Sequence, residues 1–431
     1  MSTGIPPRKG VKQLSSSISL EYNGKHPENW FFEQPCKEFF HVLDQNGGGK
    51  NKFFFGDNAD VLRYLLKSGF SNKVRLVYID PPFATASDFV SRNQIHAYSD
   101  SICGSEFVEF LRERLVLLRE LLASDGSIYL HLDGKMAFQM KIIMDEIFGE
   151  NNCRAFITRK KCSTKNYTKN TFGNVADYIM FYSKTNAFVW NRPYEPWEMD
   201  RIIEQYPCID PKTGKRYKKV PIHAPGTRNG ETGKAWRGKM PPPGKHWQYT
   251  PQKLDELDAA GEIYWSPTGN PRRMVFFDSD KGIQIQDIWL NYRDSVNQSQ
   301  KTTGYPTEKN LDMLKMIVAA SSNPGDIVLD CFAGSGTTLD AAFELGRLWI
   351  GADNSIESYK AIKKRFTDGL ERYGDYVSDQ TCKQVTLSLS PRCPFDVLSC
   401  DEYATLLMKS KMKTGTDKQC TMKKTRSSPQ V

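Results

Sequence analysis

The chain has 431 residues, of which 39% are hydrophobic and 25% charged. That balance is ordinary for a globular protein and excludes a low-complexity or fibrous chain. The length exceeds that of a usual single domain, so two structural units are expected. No run approaches the roughly 18 apolar residues of a membrane span. The opening MSTGIPPRKGVKQLSSS lacks the apolar core of a secretory signal, so a cytoplasmic protein without membrane contact is expected. Ten cysteines and six histidines are scattered and no cysteine pair has CxxC spacing, which points to reduced thiols and no metal site. The net charge of +9 is a modest excess of the kind found in proteins that meet polyanions. Part of it is concentrated in Arg154, Arg159, Lys160, Lys161, Lys165, Lys169 and Lys184, a stretch whose only acid is Asp177. Such a stretch is either a solvated loop or one that contacts phosphates.

Residues 1–50 carry Ser15-Ser16-Ser17 and Gly47-Gly48-Gly49 and read as an N-terminal arm. Phe53-Phe54-Phe55 then predicts a short strand ending at Gly56-Asp57, and Asp60–Lys67 a helix. The apolar, β-branched run Val74–Ile79 predicts a buried strand. Phe107, Phe110, Leu111, Leu115, Leu118 and Leu122 recur at helical spacing over 106–123. A strand over 127–132, a helix over 135–148 closed by Gly149 and a strand over 178–182 follow. From about 190 to 305 this alternation stops, and Pro, Gly and Trp become frequent, as in Pro241-Pro242-Pro243-Gly244. An irregular, loop-rich insertion is expected there. Helix 309–320, strand 327–332, helix 337–345, strand 348–352 and helix 359–373 restore the alternation. Residues 379–431 read as a basic, disordered tail with one short helix around 403–408. The whole predicts an α/β domain with a mainly parallel sheet, split into halves 51–189 and 306–378 by the insertion.

Two segments carry the chemistry. In the first, strand 327–332 runs into Asp330-Cys331-Phe332-Ala333-Gly334-Ser335-Gly336 and a helix follows. Glycines there let the backbone turn tightly and approach a ligand closely. The next strand ends at Asp353, about twenty residues on, where an acid can take the two hydroxyls of a ribose. The loop is neither GxGxxG nor a P-loop, which disfavours NAD and ATP and suits S-adenosylmethionine, a cofactor without phosphates.

The second is Asp80-Pro81-Pro82-Phe83, directly after the buried strand 74–79. The prolines carry no N–H and fix the backbone beyond the end of the strand, where their carbonyls are available to accept. An aspartate beside a proline carbonyl is a double acceptor, with an aromatic ring next to it. An amino group on a planar base needs two acceptors for its hydrogens and a face to stack on. Catalysis would then come mostly from in-line positioning.

Together these motifs resemble those of the amino-methylating DNA methyltransferases. Asp80-Pro81-Pro82-Phe83 matches their catalytic tetrapeptide, and Phe332-Ala333-Gly334-Ser335-Gly336 their cofactor motif. The catalytic motif precedes the cofactor motif, which resembles the permuted β group, including bacterial type II modification enzymes and type III modification subunits. The resemblance covers roughly residues 51–370. It implies a Rossmann-like S-adenosylmethionine-dependent methyltransferase fold with an inserted target-recognition domain at 190–305. By the same likeness Asp57, Thr307, Lys309, Asp330, Phe332, Gly334, Gly336, Thr337 and Asp353 are expected to bind the cofactor. Five positions depart from the family pattern: Glu308 and Asn310 stand where it usually has Gln and Pro, Cys331 where it usually has Pro, Phe83 where Tyr is commoner, and Ala84 where Asn is frequent.

Asp at position 80 favours N6 of adenine, since N4-cytosine enzymes of this class more often carry Ser there. Double-stranded DNA is the expected partner, with a second copy of the chain or a restriction subunit as further ones. Arg159, Lys160, Lys161, Arg237, Lys239, Lys245, Arg272 and Arg273 can reach phosphates or guanine edges. Trp236, Trp247 and Trp265 lie among them, with core packing as the alternative role, favoured for Trp265. Methylation of N4 of cytosine is the first alternative; more distant ones are methylation of an RNA base or a protein amide, and a non-catalytic nucleic-acid-binding protein with a methylase fold. Motif order and intact motifs disfavour these last two.

Overall fold

The structure is a computed structural model that describes residues 18–42, 49–82, 88–90, 96–99, 104–162, 170–280, 282–294, 301–303, 305, 308–367, 371–372 and 393–413. The chain divides into two compact units, Met1–Pro193 with Gln286–Val431, and Tyr194–Ile285.

The first unit is built on a ten-stranded sheet. Its strands are β1 (Phe40–Val42), β2 (Asn51–Phe55), β3 (Val74–Ile79), β4 (Leu122–Leu132), β5 (Cys153–Lys160), β6 (Ala176–Ser183), β7 (Ile288–Trp289), β8 (Ile327–Asp330), β9 (Leu348–Asp353) and β10 (Phe395–Ser399). Their order is β1-β10-β2-β9-β8-β3-β4-β6-β5-β7. The six strands from β10 to β4 run parallel. The helices used below are α1 (Asn58–Leu65), α2 (Gly104–Leu121), α3 (Ala137–Phe148), α4 (Leu311–Ser321), α5 (Thr337–Glu344), α6 (Ile356–Thr367) and α7 (Asp401–Lys413). This is the Rossmann-like methyltransferase architecture that the motif order implied.

Burial explains why these segments adopt these states. Val74, Leu76, Val77 and Ile79 of β3 have no exposed surface, as expected for a central parallel strand covered on both faces. On α2, the predicted stripe Phe107, Leu111, Leu115 and Leu118 is buried, each side chain contributing about 1.5–3 kcal/mol against exposure. Helix α2 packs on α1 and α3, and α4 packs on α5. Among the described residues no helix is long and apolar enough to cross a membrane.

Three expectations need correction. Residues 153–160 are strand β5, paired antiparallel with β6, rather than loop. The alternation that marks a strand was hidden because the residue facing inward is Arg159, buried by ion pairing and not by hydrophobicity. The second correction concerns the tail: residues 395–399 form β10, inserted between β1 and β2, while the short helix expected around 403–408 is part of the longer α7. Third, the insertion is more regular than its composition suggests. Within Tyr194–Ile285, Cys208–Ile209, Arg216–Pro221, Pro271–Phe276 and Ile263–Trp265 form a four-stranded antiparallel sheet. Helix Pro251–Ala259 starts from Thr250, whose side chain accepts from the Lys253 amide, with proline at its first position. Trp236 and Trp247 are buried with Ile222, Leu254, Leu257 and Ile263, and Trp265 packs against them. All three tryptophans therefore build the core of this unit.

Candidate active site

The parallel strands β2, β3, β8 and β9 end on one cavity of about 460 Å³, the size of a small-molecule pocket. Its position at the carboxyl ends of the strands is the place where open α/β sheets bind ligands.

Strand β3 delivers Asp80, Pro81 and Pro82 to the cavity wall; Phe83 lies outside the described residues. The two oxygens of Asp80 have different surroundings. Oδ2 pairs with Lys309 Nζ at 2.8 Å. Oδ1 is buried and finds no hydrogen-bond donor among the described residues. A buried acceptor without a donor is costly, and an incoming amino group would satisfy it.

Behind Asp80 lies a buried polar chain. The Tyr78 hydroxyl is 2.7 Å from His131 Nδ1, and His131 Nε2 is 3.2 Å from Asp177 Oδ2. The Asp177 carboxylate accepts from Nε2–H, so Nδ1 is left to accept from Tyr78. Burial lowers the His131 pKa against the pull of Asp177, which leaves the ring neutral near pH 7. For Asp177, burial acts to raise the pKa, but His131, Lys309 and Lys161 outweigh it and hold the carboxyl below its ordinary range. For Lys309, burial acts to lower the pKa, but Asp80, Asp294 and Asp177 outweigh it and raise the ammonium. His131 Nδ1 stands 3.7 Å from Asp80 Oδ1, beyond hydrogen-bond reach.

The glycine loop lines the same cavity. Gly334 and Gly336 have φ of +50° and +75°, left-handed values that favour glycine. Gly336 does not line the cavity; it caps α5, and a Cβ there would meet Ile362 Cγ1 at 2.8 Å. Asp353, at the end of β9, accepts from the Gly334 amide at 2.9 Å and the Ser355 amide at 2.8 Å. Asp330 is buried and accepts from the Phe332 amide at 3.0 Å. Burial, with Asp80 repelling it, pushes its pKa up to about 7 against the Thr338 and Phe332 hydrogen bonds. Asp57 lines the cavity and also caps α1, accepting from the Ala59 and Asp60 amides, a cap worth about 1 kcal/mol. Phe332 and Thr337 line the cavity, and Thr307 lies outside the described residues.

Several supporting residues escaped the motif reading. Arg365 of α6 is buried and binds the Ser335 carbonyl at 2.8 Å, Asp340 at 2.9 Å and Glu308. It thus ties the glycine loop to the Lys309 segment. Glu308 also accepts from the Thr303 hydroxyl at 2.8 Å, and Asn310 caps α4 by accepting from the Met313 amide at 2.9 Å. These contacts give the two departures from Gln and Pro a physical role. Arg114 donates to Asn58 at 2.7 Å and pairs with Asp57 at 3.4 Å. One signal was available for Tyr78: it lies two residues before Asp80, on the same side of the chain.

The basic residues named from sequence fall into two groups. Arg159 points inward, bonded to the Tyr292 carbonyl at 2.7 Å and paired with Asp177 and Asp294; Lys161 pairs with Asp177 at 2.7 Å. Both serve the buried chain behind Asp80, which corrects the expectation that Arg159 meets DNA. In the second unit, Arg237 pairs with Asp255 and Asp258, and Arg273 bonds the Tyr249 hydroxyl. Lys160 and Lys239 are partly exposed, and Lys245 and Arg272 exposed. None of these four has an ion pair among the described residues.

An adenosine-bearing cofactor fits this cavity: it offers an acid at the ribose position, a glycine at positive φ on the wall, and further carboxylates suited to cationic groups. Comparison with known proteins agrees. The DNA methylase family model, covering N6 and N4 types, matches residues 74–364. Type II methyltransferase M.EcaI of Enterobacter cloacae is 46% identical over 382 residues, 88% of this chain and 84% of that protein. The StyLTI Mod subunit, from a type III restriction-modification enzyme of Salmonella typhimurium, is 29% identical over 383 residues, 78% of this chain and 57% of that subunit. Type II methyltransferase M.KpnI of Klebsiella pneumoniae is 24% identical over 369 residues, 76% of this chain and 88% of that protein.

Proposed function

Because the chain belongs to the DNA methylase family, we propose that it transfers a methyl group to N6 of an adenine flipped out of double-stranded DNA. Methyltransferases of this family use S-adenosylmethionine, which supplies an electrophilic methyl group on a sulfonium. Asp353 would hold the ribose hydroxyls, and Asp57, Lys309, Asp330, Phe332, Gly334 and Thr337 the remainder of the cofactor.

The observation that supports an amino-group acceptor is Asp80 Oδ1, without a donor among the described residues at the end of β3; the choice of adenine rests on the aspartate itself, where N4-cytosine enzymes more often carry Ser. With the Pro81 carbonyl it would take both hydrogens of the amino group, while Phe83 stacks on the base. Holding both hydrogens turns the nitrogen lone pair toward the methyl donor. Lys309 would keep Oδ2 occupied, so that only Oδ1 faces the base. The in-line approach that results supplies the rate. Flipping costs a few kcal/mol of stacking and pairing, which cationic contacts would offset. Lys160, Lys239, Lys245 and Arg272 are the candidates without ion pairs among the described residues; Arg237 and Arg273 would have to exchange existing partners.

The proposal is tested by expressing the chain in a host without DNA methylation and reading the genome by single-molecule sequencing. Modified adenines within one recurring sequence are expected. Modified cytosines would transfer the reading to N4-cytosine, the second chemistry open to this geometry.

A further inference from the structure

His131 lies near the end of β4, the strand between β3 and β6. Ile79 is opposite Leu130, so the register continues with Asp80, the first residue past β3, beside His131. On its other side His131 is opposite Ile179. Asp177 is two residues from Ile179 and therefore on the same face of the sheet. The buried ring thus stands between two carboxylates. Nδ1 is 3.7 Å from Asp80 Oδ1, and Nε2 is 3.2 Å from Asp177 Oδ2.

Asp177 decides which ring nitrogen carries the proton. Its Oδ1 accepts from Lys161 Nζ at 2.7 Å and its Oδ2 from Arg159 at 3.4 Å. Two cations keep this carboxylate ionised, so it has no hydrogen to give, and Nε2 must be the donor. The neutral ring then carries a lone pair at Nδ1, which accepts from the Tyr78 hydroxyl at 2.7 Å. In this tautomer the ring offers Asp80 no N–H, and Oδ1 has no donor among the described residues. The opposite tautomer would place an N–H 3.7 Å from Oδ1, where a small shift of the ring makes a hydrogen bond. Packing alone does not call for such a set, since apolar replacements of buried ion pairs are often neutral or stabilising.

We propose that His131 is a positioning residue for methyl transfer, held by Asp177 in the tautomer that keeps Asp80 Oδ1 open for the amino group. The inference rests on the reading of Asp80 as the acceptor of that group. Arg159 and Lys161 belong to the same device, because they keep Asp177 ionised. With no internal donor to displace, the whole strength of the Oδ1 hydrogen bond is available to the base.

The test reads the tautomer and the rate separately. Long-range nitrogen–proton correlation spectra of the full chain with isotope-labelled histidine report the protonated ring nitrogen, and His131 is assigned by its loss in His131→Gln. The Nε2–H form is expected in wild type; an Nδ1–H form would overturn the proposal. In Asp177→Asn the amide oxygen should stay on the nearer Lys161 and the NH2 turn toward Nε2, which moves the ring proton to Nδ1. That variant should bind S-adenosylhomocysteine with wild-type affinity and keep its KM for S-adenosylmethionine. Its kcat on unmethylated DNA should fall about 10- to 100-fold, the worth of a hydrogen bond to a charged group. An Nδ1–H form in Asp177→Asn with undiminished kcat would overturn the inference alone. If Asp177→Asn does not fold, the wild-type tautomer still decides. Wild-type protein that binds the cofactor and transfers no methyl group to DNA would overturn the reading of Asp80, and this inference with it.

Discussion

Lys309 holds one oxygen of Asp80, and this contact sorts two roles that sequence could not separate. By resemblance Lys309 belongs to a segment that cradles the cofactor; in the structure its ammonium lies on Asp80 Oδ2. If orienting Asp80 is its main task, Lys309→Met should lower kcat by about 100-fold, the scale on which misplacement of reacting groups acts. The dissociation constant for S-adenosylhomocysteine should meanwhile change little. A large loss of cofactor affinity with kcat preserved would assign Lys309 to the cofactor instead. Asp330 yields a second prediction. Its pKa of about 7 lies above the ordinary carboxyl value, so the folded, ligand-free chain binds this proton more tightly than the unfolded chain does. Its contribution to stability is therefore complete below about pH 4 and declines as the pH rises toward 7. A cation bound beside Asp330 reverses the preference and drives the proton off. Cofactor binding near pH 7 should release a fraction of a proton, seen as a dependence of the calorimetric enthalpy on the buffer's ionisation enthalpy. Asp330→Asn should remove that dependence, and its persistence in the variant would place the proton elsewhere.

At the level of elements, the cavity depends on helices and strands that the motifs do not mention. Helix α6 contributes Arg365, which ties the Ser335 carbonyl to Asp340 and Glu308. Removing one partner of a buried ion pair costs about 3–5 kcal/mol. Arg365→Met should therefore lower the melting temperature and weaken cofactor binding together; unchanged thermal stability would contradict this role. The parallel strands were legible because β3, β8 and β9 are predominantly apolar runs, the mark of a sheet covered on both faces. Strand β5 was not, because Arg159 faces inward and is satisfied by Asp177 and Asp294. A charge that is buried by pairing looks the same in sequence as one on the surface. The same masking hid Asp177, which reads as the lone acid in a basic run and is in fact its buried anchor. Strand β10 escaped because it is short and surrounded by polar sequence.

For the molecule as a whole, motif order implied the permuted arrangement, and the sheet order has β8 beside β3, with β9 next to β8, although 247 residues separate Asp80 from the start of β8 at Ile327. The second unit was less legible. Its frequent Trp and Pro read as loops, whereas Trp236 and Trp247 fill a small hydrophobic core. Their loss should unfold that unit rather than remove a DNA contact. Charge at this scale gives a further expectation: affinity for DNA should fall with salt by about 0.9 log units per tenfold for each phosphate neutralised. Lys245→Ala and Arg272→Ala should each reduce that slope by about one phosphate's share if they meet the backbone. An affinity independent of salt would contradict phosphate contact altogether.

The central claim is that Asp80 presents a DNA base's amino group to the methyl donor. It is tested most directly by incubating unmethylated DNA with methyl-deuterated S-adenosylmethionine and analysing the nucleosides by mass spectrometry, for wild type and Asp80→Ala. Labelled N6-methyladenine from wild type is predicted. Asp80→Ala should give label reduced by at least about 100-fold, the scale of a lost positioned group, with S-adenosylhomocysteine binding intact. Undiminished label from Asp80→Ala would contradict the account, as would wild-type protein that binds the cofactor and leaves DNA unlabelled.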